Sequence, residues 1–166
     1  MSRAFVKEPD GDQVGDELPE IPVSKHPNYV TAAGLQQLKD KHTDLVERKN
    51  KLTAGEDSML NKTVLAQIER ELRYFSARIN SAILVSNKNR NKDLVAIGST
   101  VTFVDEAKKQ YRFTIVGEDE ASLKDGKISW VSPLAKALLG KTRGEKVVWK
   151  RPIGDIMVEI KEIGFS

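Results

Sequence analysis

Between positions 31 and 85 the apolar residues recur at helical spacing. Leu35, Leu38, His42, Leu45, Lys49 and Leu52 follow one another at steps of three and four, which is a heptad seam with two polar members. Leu65, Ile68, Leu72, Phe75, Ile79 and Ala82 repeat the same steps. Thr31 can cap the first helix, which is expected to run to about Leu52. The second is expected to run to about Val85, capped by Asp57 or Ser58. Gly55 breaks the pattern between them, and so short a connection forces the two helices to be antiparallel neighbours with their seams together. Lys39, Asp40, Lys41, Asp44, Glu47, Arg48, Glu69, Glu71 and Arg73 fall between the seams and make a solvated outer face.

After the polar stretch "SNKNRNKD" the period changes to two. "STVTFVD" (99–105) and "YRFTIVG" (111–117) alternate, with "EAKKQ" as the turn between them. "KISWVS" (127–132), "EKVVWK" (145–150) and "DIMVEIKEI" (155–163) read as further strands. "SPLAKALLGKTRGE" lies between the third and fourth, with Pro133 suited to the first position of a short helix and Gly140 to its end. The expected fold is therefore α+β: an N-terminal antiparallel coiled-coil hairpin followed by a small antiparallel sheet with one short helix. The expected divisions are a flexible acidic, proline-rich leader (1–28), the hairpin (29–85), a linker (86–96) and the sheet domain (97–166).

Composition narrows the functional classes. The chain has 166 residues and a net charge of +3, with no cysteine and two histidines. Disulfide frameworks, thiolate metal sites and histidine-rich zinc sites are excluded. No window approaches the apolar length that a bilayer demands, and the opening "MSRAFVKEPDGD" lacks the apolar core of a secretory signal, so a cytoplasmic protein without membrane attachment is expected. Charge is unevenly spread: −3 over residues 1–30, +2 over 31–85 and +4 over 86–166. A dedicated nucleic-acid binder concentrates more positive charge than this.

Little here resembles an active site. The glycines are isolated, without a phosphate loop, and Ser132 has no histidine after position 42 to serve as its base. Trp130 and Trp149 fall on strands and suit core packing. "GEDEAS" (117–122) is an acidic turn. Glu56 and Asp57 follow Gly55 at the hairpin's turn, and two readings of them stand. As acids at a helix start they favour the helix dipole; as adjacent carboxylates they can help to hold a hard cation, although one pair supplies too few oxygens for a closed site.

The order of parts, with "YRFTIVGEDEAS" followed by "ISWVSPLAKALLGKTRGE", resembles the GreA/GreB family of bacterial transcript-cleavage and elongation factors over about residues 29–163. "MSRAFVKE" and "HPNYVTAAGLQQL" resemble the lead-in of a GreB-like subgroup. The resemblance implies a coiled coil joined to an FKBP-like domain. It implies that the domain docks at the rim of the secondary channel of bacterial RNA polymerase while the coiled coil carries acids towards the catalytic magnesium. On that view the chain is an accessory factor, most simply a monomer, with no catalytic residue or intrinsic cofactor of its own. Transcript RNA and DNA are met only inside the elongation complex.

Carried onto this chain, the resemblance gives Asp119, Glu120, Ser132, Pro133 and Leu134 as docking residues. Leu35, Leu38, Leu45, Leu52, Leu65, Ile68, Leu72, Phe75 and Ile79 form the seam. Glu56 and Asp57 become tip acids acting in trans, around a Mg²⁺ shared with the polymerase. The tip departs from the family pattern: "TAGEDSMLNKT" replaces the usual Asp-Leu-x-Glu-Asn-Ala-Glu-Tyr run, and the hairpin is shorter by one heptad per arm, about 10 Å of reach. Two outcomes follow, stimulated cleavage of backtracked RNA or occupation of the channel with inhibition. A prolyl isomerase or chaperone is the remote alternative that an FKBP-like shape suggests.

Overall fold

A computed structural model describes residues 18–55 and 59–165. The chain begins with a two-residue strand, β1 (Tyr29–Val30), and then builds the hairpin from α1 (Ala32–Thr53) and α2 (Met59–Ser81). Thr31 caps α1 as expected, its hydroxyl oxygen accepting from the Gly34 N–H. At 1.5 Å per residue the 22 residues of α1 make a rod of about 33 Å. Leu38, Leu45 and Ile68 are buried along the seam, and the other apolar seam positions are half-buried, as two helices alone dictate. The two polar seam members find partners across the hairpin: His42 Nε2 lies 3.1 Å from Ser76 Oγ, and Lys49 pairs with Glu69 at 3.1 Å.

α2 ends at Ser81, earlier than the heptads suggest, because Ile83–Leu84 form a strand, β2, paired in parallel with β1. Ahead of β1, residues 19–28 lie along α2. Glu20 pairs with Arg73 at 2.7 Å, and the Pro19 carbonyl accepts from Arg70. This portion of the expected leader is thus held against the hairpin.

The second half is a five-stranded sheet of β3 (Ser99–Asp105), β4 (Gln110–Val116), β5 (Lys127–Ser129), β6 (Lys146–Trp149) and β7 (Ile156–Phe165), in the order β5-β4-β3-β7-β6. The short helix α3 (Pro133–Leu138) covers its inner face. Val101, Phe103, Ile115, Ile128, Leu134, Leu138, Val158 and Ile160 form the core, and Trp149 meets the rings of Phe103, Tyr111 and Phe113 at its edge. Trp130 packs on the same core from the hairpin side, against Tyr29 and His26.

The sheet is not wholly antiparallel. β5 runs parallel to β4, with Thr114 opposite Lys127 and Val116 opposite Ser129. The ten residues joining them (117–126) do not form a tight hairpin. They cross over through two single turns of 3-10 helix, Glu118–Glu120 and Leu123–Asp125. That crossover brings the acidic turn to the base of the hairpin.

Candidate functional site

A rod on a compact body can act at a distance only if its base is fixed. Here the base is fixed by a polar clamp whose residues come from separate places in the chain. Arg78 lies in the last turn of α2 and is 1% exposed. Its Nε donates to Asp119 Oδ2 at 2.6 Å and its Nη2 to Asn28 Oδ1 at 2.8 Å, while Glu118 Oε2 stands 3.8 Å away. One turn back on α2, the Tyr74 hydroxyl donates to the other Asp119 oxygen at 2.5 Å. The i, i+4 spacing of Tyr74 and Arg78 lets one carboxylate receive both. Asn28 closes the set: its Nδ2 donates to the Arg78 carbonyl at 2.7 Å and to Ser81 Oγ, satisfying an orphan carbonyl at the helix end. Burial and the bond to Asp119 push the Tyr74 hydroxyl up to about 12, so it remains a donor across the ordinary pH range.

A second contact holds the start of α1. The buried Glu120 carboxylate accepts from the Thr31 N–H at 3.2 Å, from the Thr31 hydroxyl and from the Gly117 N–H at 3.2 Å. Two glycines permit the close approach of these segments. A Cβ on Gly34 would lie 2.0 Å from Glu120 Cδ, and one on Gly117 would lie 2.4 Å from the Tyr29 carbonyl oxygen. The parallel β1–β2 pair completes the base, with the Ile83 N–H donating to Asn28 O and the Val85 N–H to Val30 O.

The expected docking residues are therefore split. Asp119 and Glu120 turn inwards and tie the crossover to the hairpin. Leu134 is 5% exposed and belongs to the core. Ser132 and Pro133 remain at the surface: Ser132 Oγ accepts from the Ala135 N–H at 3.3 Å to cap α3, and Pro133 is exposed at its first turn. Close to this corner the Trp130 indole N–H is buried without a hydrogen-bond partner. Glu56 and Asp57 lie outside the described residues. Among the described residues no cluster of three His, Asp or Glu side chains could hold a metal ion, and no helix is long and apolar enough to cross a membrane.

Sequence reasoning passed over Tyr74, Arg78 and Asn28. Arg78 adjoins Ile79 of the seam and reads as one more surface charge until its partners, some 40 and 50 positions away, are known. Gly34 did carry a signal: a lone glycine in the first turn of a strong helical pattern marks a close approach.

The described residues thus form a hairpin rod clamped through its base to a β-rich body. Sequence comparison places that architecture in a family. The model of the C-terminal domain of the GreA/GreB transcription elongation factors matches residues 90–165. The transcription elongation factor GreB of Neisseria meningitidis serogroup B is 31% identical over 153 residues, covering 83% of this chain and 94% of its own. The GreA of Nitrosococcus oceani is 30% identical over the full length of both chains. The crystal structure of GreA factor homolog 1 of Thermus thermophilus matches 83% of this chain and 99% of its own, at 22% identity and a TM-score of 0.40. The chain belongs to the GreA/GreB family of transcription elongation factors.

Proposed function

We propose that this protein binds bacterial RNA polymerase at its secondary channel, with the sheet domain at the rim and the hairpin inside, and so modulates backtracked or paused complexes in the cytoplasm. The observation that carries this reading is the clamp. Two acids, the half-buried Asp119 and the buried Glu120, hold the rod at a set angle to the body, and a factor that threads a channel needs that angle fixed before it meets its target. The half-buried Ser132 and the exposed Pro133 are the candidates for the rim contact. Glu56 and Asp57 are the candidates for acids delivered to the polymerase's Mg²⁺-dependent cleavage centre. Two carboxylates are too few to hold that metal alone, so it would be shared.

The second reading within the family, occupation of the channel with inhibition, is favoured by the short arms of 22 and 23 residues and by the departure of the tip from the family run. Transcript cleavage in stalled, backtracked complexes separates the two. Faster cleavage that disappears in the Glu56→Ala/Asp57→Ala variant supports stimulation. Slower nucleotide addition with no gain in cleavage supports inhibition. The isomerase reading draws no support, since core side chains fill the space between the inner face of the sheet and α3.

A further inference from the structure

The outer face of the sheet takes no part in the clamp, the core or the Ser132–Pro133 corner, yet it carries a concentration of cations. Alternation sends Tyr111 and Phe113 inwards to the core and leaves Arg112 and Thr114 on the outer side of β4. The register places Arg112 beside Thr102 and Thr102 beside Glu162, and it aligns Lys127, Thr114, Thr100 and Gly164 in one row across four strands. At about 4.8 Å per strand interval that row spans some 14 Å. A hollow of about 440 Å³ lies over Thr100 and Thr102, bounded by Arg112, by Lys92 of the linker and by Arg143 of the loop before β6. The Thr100 and Thr114 hydroxyls meet at 2.8 Å and join this hollow to a second cleft that Lys88 and Lys127 border.

None of these five cations forms an ion pair with a described residue. Two carboxylates, Asp93 and Glu162, also line the hollow, and neither neutralises them directly. Glu120, which borders the second cleft, spends its oxygens on Thr31 and Gly117. The surplus is therefore positive, with Arg112 and Lys127 on strands, Lys88, Lys92 and Arg143 on the flanking linker and loop, and threonine hydroxyls between them. The small net charge of the whole chain conceals it, because most of the acids lie elsewhere.

We propose that this face binds the sugar–phosphate backbone of a nucleic-acid duplex, without reading its sequence. Phosphate oxygens match guanidinium and ammonium groups that have no ion-pair partner among the described residues. The strand aromatics on β4 point the other way, so bases have no ring to stack on at the centre of this face, and that favours a duplex over a single strand. The proposal is independent of polymerase binding and is tested without polymerase.

The experiment is fluorescence anisotropy of a short labelled DNA duplex of random sequence, titrated with the full chain at several salt concentrations. Wild type is expected to bind at low salt and to weaken steeply as salt rises. The Lys92→Glu/Arg112→Glu/Arg143→Glu variant is expected to bind at least about tenfold more weakly, with the log–log salt slope reduced by about 0.9 for each phosphate no longer neutralised. Arg112→Gln alone, at an exposed strand position, covers the case in which the triple variant fails to fold, and is expected to flatten the slope by about 0.9. The proposal is overturned if wild type shows no salt-dependent binding, if either folded variant binds as wild type does, or if a single strand of equal length binds as tightly as the duplex.

Discussion

Arg78 joins three segments that the chain keeps far apart: α2, the residue before β1, and the β4–β5 crossover. Replacing it with alanine leaves Asp119 facing Tyr74 alone in a largely buried site, and breaking such a pair costs about 3–5 kcal/mol. Urea unfolding is expected to show that loss, and a double-mutant cycle with Asp119→Asn is expected to return a coupling of about 1–3 kcal/mol. Gly34→Ala tests the second contact. Its methyl would strike Glu120, which cannot retreat without releasing Thr31 and Gly117, so a loss of about 1–3 kcal/mol is expected in the same assay. Tyr74 gives the clamp a pH signature. Its folded value near 12 lies above the unfolded value near 10, so the stability it contributes is complete below about pH 10 and is lost as pH rises towards 12. Tyr74→Phe should abolish that part of the alkaline decline. An unchanged profile would show that the hydroxyl is not held as described.

The hairpin was legible because seven-residue spacing is a property of consecutive residues, and the seam positions Leu38, Leu45 and Ile68 are the buried ones. Leu38→Ala should cost about 2–5 kcal/mol and lower the cooperativity of helix melting followed by circular dichroism. The strands and α3 were legible for the same local reason, through alternation and the Ser132–Pro133 cap. What stayed hidden was non-local. The β1–β2 pair is two residues long and has no alternation to display. In β7 a bulge at Lys161 lets both Ile160 and Ile163 point inwards, since Phe103 pairs with Ile160 and Thr102 with Glu162. The parallel run of β5 had the largest consequence. A tight antiparallel turn would have left Asp119 and Glu120 at the surface, whereas the crossover delivers them to the hairpin. The one parallel pair in a mostly antiparallel sheet and the inward turn of the two acids thus share one physical cause.

At the scale of the whole molecule the structure joins a rod of about 33 Å to a sheet domain through side chains that leave little freedom at the joint. This arrangement makes two surfaces separable by mutation. Changing Ser132 and Pro133 together is expected to abolish saturable binding to core polymerase while leaving the clamp intact. Changing the outer-face arginines is expected to leave polymerase binding alone and to weaken duplex binding. Insertion of the hairpin into the channel is tested most sharply by placing a photo-crosslinking residue at Gly55, the last described position of the first arm, and mapping its products on polymerase. Crosslinks are expected on the walls of the secondary channel near the catalytic centre, with none when the rim contact is abolished. Crosslinks confined to the polymerase exterior, at full occupancy, would contradict insertion.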